Sequence, residues 1–71
     1  MIVQVCESMV DQQTRKREIT ALAEAMAELK QSQGIIVTRN EEEQIQADAG
    51  KIAVIPAWRF LLNIENMNPA G

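Results

Sequence analysis

Thr14–Lys30, TRKREITALAEAMAELK, carries the architecture of this chain, because it reads as one amphipathic helix set between two short apolar runs, Ile2-Val3-Gln4-Val5-Cys6 and Ile35-Ile36-Val37-Thr38. Ile19, Leu22, Met26 and Leu29 recur at spacings of three, four and three, with Ala23 and Ala25 beside them, which predicts a single face laid on a sheet. Arg15, Lys16, Glu24, Glu28 and Lys30 fall on the other side, and Ala21, Ala23, Ala25 and Ala27 keep helix propensity high. A helical connection of this length lets the chain return parallel to the strand it left, so Met1 to Thr38 is expected to be a βαβ unit.

Working outward, Ile2 to Cys6 is β-branched with one polar member, the pattern of a strand covered on both faces or nearly so. Placed directly at Met1, that strand is expected to have one hydrogen-bonding edge without a neighbour. Glu7 to Gln13 forms the turn into the helix, with Asp11 as the N-cap and Thr14 as the alternative. Gln33-Gly34 should end the helix, Gly34 supplying a left-handed C-terminal residue. Asn40 to Glu43 reads as a solvated acidic turn. Gln44 to Ala47 and Lys51 to Ile55, joined by Asp48-Ala49-Gly50, read as a hairpin.

Pro56 closes the last strand and opens a short helix, where its missing N–H is not needed. Within Ala57 to Ile64, Trp58, Leu61 and Leu62 share a face, with Phe60 and Ile64 near it. Two readings follow: these side chains cap the core of a small sheet, or they anchor a partner, as exposed Trp often does. The whole is an α/β fold, a small βαβ unit followed by a β-hairpin and a short C-terminal helix. A single domain over 1–65 and a flexible tail over 66–71 are expected.

With 71 residues the chain is at most one domain, and one of this size buries only about 60% of the surface its unfolded form exposes. Stability is therefore thin unless a partner adds to it. Hydrophobic residues at 46% and charged residues at 24% rule out wholesale disorder. A net charge of −3 argues against a duplex-binding module, which needs clustered Lys and Arg. The single cysteine, Cys6, excludes an internal disulfide, and with no apolar run long enough to span a membrane the chain is expected to be cytoplasmic.

Reactive chemistry is sparse. No histidine is present, which removes the commonest general base and metal ligand together. Cys6, in an apolar strand, reads as a buried inert thiol, and the serines Ser8 and Ser32 have no His base. Gly34, Gly50 and Gly71 are too scattered for a phosphate loop. Glu41-Glu42-Glu43 would attract a cation only if the three converged, and adjacent carboxylates on a turn point apart. Arg15, Lys16 and Arg17 attract anions weakly, and Glu18 offsets them. No catalytic, cofactor-binding or metal-ligating set is assigned.

Ile2 to Cys6, Thr14-Arg15-Lys16-Arg17-Glu18-Ile19 with Leu22, Gly34 to Thr38, and Lys51-Ile52-Ala53-Val54-Ile55-Pro56-Ala57-Trp58-Arg59-Phe60-Leu61-Leu62 resemble, in order, the extreme C-terminus of a large prokaryotic family. Its members are predicted AAA-superfamily ATPases with an N-terminal P-loop domain and a C-terminal domain of unknown function related to the restriction-endonuclease-like fold. The resemblance covers roughly residues 2 to 62. It implies half of a restriction-endonuclease-like core, a truncated reading frame or an excised fragment, without the nucleotide site.

Active nucleases of the related fold carry a Glu-x-Lys where this chain has Gln4-Val5-Cys6, which removes a carboxylate and a charge, so hydrolysis is not expected. The function implied is a non-catalytic interaction or regulatory domain. Its rival is a degenerate nuclease-like or nucleic-acid-binding subunit that rebuilds a site from Glu7, Asp11 or Glu18 on dimerisation. The expected interaction surface is Ile2, Val3, Gln4, Val5, Trp58 and Arg59, with a homodimer through the first strand and a further protein partner as an additional expectation.

Overall fold

The computed structural model describes residues 1–66. Its elements run β1 (Ile2–Val5), α1 (Gln12–Glu28), β2 (Gln33–Thr38), β3 (Glu43–Ala47), β4 (Gly50–Pro56) and α2 (Ala57–Asn66). The strands form one sheet in the order β1-β2-β4-β3. β1 pairs parallel with β2 and β2 parallel with β4, while β3 runs antiparallel to β4. The α/β class, the βαβ unit and the hairpin are thus as the residue pattern predicts.

Register divides the sheet into two faces. Gln4, Ile36, Val54 and Glu43 lie side by side across it, and one row down so do Ile2, Gly34, Ile52 and Ile45. This first face receives α1: Leu22 and Met26 are fully buried against Ile36, Ile52 and Val54. The second face carries the alternate rows, Val3, Ile35, Ala53, Gln44 and then Val5, Val37, Ile55. There α2 packs on β4 and β2, and Val37 and Ile55 are buried while Val3 and Val5 are not.

Asp11 caps α1, its Oδ2 accepting the Thr14 N–H at 2.9 Å, so Asp11 rather than Thr14 is the N-cap. The C-terminus differs from expectation. Lys30, not Gly34, takes the left-handed conformation with φ 57°, and Gln31 N–H donates to Met26 O at 2.8 Å while Lys30 N–H donates to Ala27 O at 3.3 Å. That bond pair is a Schellman closure built on a lysine. Leu29 accordingly ends the helix exposed instead of joining the core.

Gly34 lies inside β2, and its role is close packing. A Cβ there would stand 2.8 Å from Met26 Sδ and 3.0 Å from Leu22 Cδ2, so α1 can approach the sheet only over a glycine. Gly50 closes the two-residue Asp48-Ala49 hairpin loop at φ 147°, with Ser32 O only 2.1 Å from where a Cβ would be.

Four further expectations are corrected. β1 is half-exposed in strict alternation because it lies at the sheet edge, where α1 covers one face and none of the described residues covers the other. Cys6 is only partly buried for the same reason. Pro56 is the buried last residue of β4, opposite Thr38, and α2 begins after it. Asn66 belongs to α2 rather than to a tail, and the expected flexibility of 67–71 falls outside the described residues. No helix among the described residues is long and apolar enough to cross a membrane.

Candidate interaction surface

β1 is placed at the margin of the sheet by its pairing, since among the described residues only β2 adjoins it. Cys6 N–H donates to Val37 O at 2.9 Å, and parallel strands alternate their bonding direction residue by residue. Gln4 therefore also faces β2, and the N–H and C=O groups of Val3 and Val5 point outward along the open edge. Their side chains are 44% and 78% exposed on the second face.

The expected surface residues separate accordingly. Val3 and Val5 are presented to solvent. Ile2 and Gln4 are not, because they point to the α1 side: Ile2 packs against the core, and Gln4 Nε2 donates to Glu18 O at 3.1 Å and to its carboxylate at 2.6 Å. Arg59 is engaged by Glu42. Trp58 is 59% exposed, and Leu61 and Leu62 are 61% and 49% exposed beside it.

Helical spacing explains why α2 turns outward. Phe60 is its least exposed described side chain, and at about 100° per residue the direction opposite Phe60 falls between Trp58 and Leu62. Arg59 and Asn63 line a cleft with Ile35, Ala53 and Glu42, so the polar flank leans toward β3. Leu61 and Ile64 fall on the other flank, toward β1. Ala57 shares a second cleft with Val5 and Val37, which joins the start of α2 to the bare side of β1. The core-capping reading thus holds for Phe60, which is half-buried on the sheet side of α2, and is corrected for Trp58, Leu61 and Leu62, which look into solvent.

The acidic triplet that looked like a solvated turn is instead a three-way tie. Glu41 accepts the Met9 N–H at 2.5 Å and the Ser8 hydroxyl at 3.4 Å, Glu42 pairs with Arg59, and Glu43 pairs with Arg15 on α1. Thr38 supports Glu41, its Oγ1 accepting the Glu41 N–H at 3.0 Å. The Arg15 guanidinium, hydrogen-bonded to Glu43, holds that carboxyl below its ordinary range, and Glu43 in turn raises Arg15. These three carboxylates diverge to three partners. Among the described residues no three acidic, His or Cys side chains converge where a cation could sit.

The residues that a composite catalytic site would need are likewise engaged apart. Asp11 caps α1, Glu18 is bonded by Gln4 and lies 3.8 Å from Arg17, and Glu7 lies 3.6 Å from Arg39. Met9, buried at 4% exposure in the β1–α1 loop, is a core residue that residue spacing missed. Its flanking Glu7-Ser8 and Val10-Asp11 give no periodic signal, because a loop side chain is buried by the path of the chain and not by a repeat.

On the α1 side a groove of about 520 Å³ runs between α1 and the β3–β4 turn, lined by Ile19, Thr20, Ala23, Ala27, Ala47 and Ala49. Its polar members, Thr20, Glu24 and Asp48, sit among small apolar residues, whereas among the described residues the β1–α2 side combines an unpaired strand edge with large apolar side chains. That side is the candidate surface. Comparison with protein-family models, curated proteins and solved structures finds no match to this chain.

Proposed function

We propose that this chain is a non-catalytic interaction module, regulatory in role, which meets a second copy of itself through β1. The observation that carries the reading is the condition of β1: the backbone of Val3 and Val5 is unpaired on its outer side, and the same two side chains stand in solvent. Edge strands of this kind are templates for association unless charge, proline or a bulge blunts them, and Ile2 to Cys6 contains none of these. The resemblance to the C-terminal region of AAA-superfamily ATPases is consistent with this role, since the nucleotide site of that family lies in its N-terminal P-loop domain. Dispersal of Glu7, Asp11 and Glu18 onto separate partners weighs against the nuclease-like alternative.

Sedimentation equilibrium tests this. The chain is expected to be dimeric at tens of micromolar, and Val5→Glu, which introduces a charge on the bare side of β1 without touching the core, is expected to give a monomer with unchanged circular dichroism. A wild-type monomer at several hundred micromolar would refute the reading.

A further inference from the structure

We infer that the two copies meet face to face, each laying the outward apolar side of α2 on the bare β1 half of the other's sheet. The inference rests on the self-association proposed above and specifies its geometry. Three features need a common cover: Val3 and Val5 on the second face of the sheet, Trp58 and Leu62 on the outside of α2, and Leu61 and Ile64 on the flank of α2 that borders β1.

The dimensions match. A helix with its side chains is about 10 Å across and strands lie about 4.8 Å apart, so one helix covers two strands. α2 covers β4 and β2, which leaves β1 and the near half of β2 without a helix on that face. A two-fold axis parallel to the strands places the partner's α2 there, beside the first. Each α2 then rests on its own sheet through Phe60 and on the partner's Val3 and Val5 through Trp58 and Leu62, while Leu61 and Ile64 of the two helices meet. The contact is isologous, so it closes at two copies.

Area and charge favour a second copy. The six side chains named expose on the order of 600 Å² per copy, near the ~800 Å² a standard interface takes from each partner. Pairing the edges alone would join only the outward groups of Val3 and Val5 and leave the α2 side chains in water. Among the described side chains, those that form the patch are uncharged: β1 has no charged residue, and Arg59 is turned to Glu42.

Trp58 is the sole tryptophan, so indole emission reports on this face alone. Emission and sedimentation are followed together on dilution of the full chain from several hundred micromolar. The expected result is a blue-shifted emission in the dimer that moves to the red in step with dissociation. Leu61→Glu should weaken the dimer at least about tenfold, an apolar contact being replaced by a buried charge. A chain synthesised with N-methylvaline at position 3 loses only the outward N–H of the edge and keeps the Val3 side chain, so it should change the dissociation constant by less than about threefold.

A dimer whose Trp58 emission stays that of solvated indole, and which N-methylation of Val3 dissociates, pairs by its edges; that result overturns this geometry and leaves the proposed self-association standing. A wild-type monomer throughout overturns both. Circular dichroism of each variant shows that its fold is kept.

Discussion

Gly34 and Asp11 show how single residues set what α1 can do. Gly34 sits beneath Leu22 and Met26 in the tightest part of the core, and both are fully buried, so neither has room to withdraw. Gly34→Ala is expected to destabilise the fold by about 1–3 kcal/mol, the usual cost of overpacking, measured by urea unfolding. Asp11 is held below the ordinary carboxylate range chiefly by the Thr14 N–H it accepts. Its folded pKa being lower than its unfolded one, its contribution is full above the unfolded value and is lost as pH falls through the folded value. Asp11→Asn keeps a competent cap but cannot titrate. It should leave neutral-pH stability nearly unchanged and shallow the loss of thermal midpoint between about pH 5 and 2, which a melting series over that range checks.

Among the elements, the loop after β2 matters most, because it ties together pieces distant in sequence. Glu41 binds the β1–α1 loop, Glu42 binds α2 and Glu43 binds α1, but the three ties differ in worth. The Arg59–Glu42 and Arg15–Glu43 pairs are substantially exposed, and such pairs contribute at most about 1 kcal/mol, less in salt. The Met9 N–H is part-buried next to a buried side chain, and leaving it without an acceptor costs about 1–3 kcal/mol. Glu41→Ala is therefore expected to lower stability clearly more than Glu42→Ala or Glu43→Ala, and only the latter two should fade in 1 M salt. Unfolding of the three variants at low and high salt decides this.

At the scale of the whole molecule, two helices cover a four-stranded sheet incompletely. α1 serves one face and α2 part of the other, so a chain already short for its class leaves a large apolar area in water. If a second copy supplies the missing cover, folding and association are linked by mass action. The thermal midpoint should then rise with protein concentration for the wild-type chain and become independent of it for Val5→Glu, which scanning calorimetry at two concentrations a hundredfold apart resolves. Solvent-facing Leu62→Ala should cost the isolated subunit little, whereas Leu22→Ala, in the core, should cost about 2–5 kcal/mol.

The sequence by itself determined the elements and two of their pairings, β1 with β2 and β3 with β4, while the central parallel pairing of β2 with β4 came only with the tertiary structure. Apolar runs of period two, the spacing of Leu22 and Met26, the Asp11 cap and the Asp48-Ala49-Gly50 loop are local signals, and each made the structure it predicted. What only the tertiary structure decided is which apolar residues are inside. Trp58, Leu61 and Leu62 have the spacing of a buried face, and Val3 and Val5 that of a covered strand, yet burial depends on what lies opposite. Lys30 takes the left-handed turn because Gly34 is needed beneath α1, and Met9 is buried because Glu41 holds its loop down. Periodicity specifies a face; only the packing of distant segments says whether that face meets protein or water.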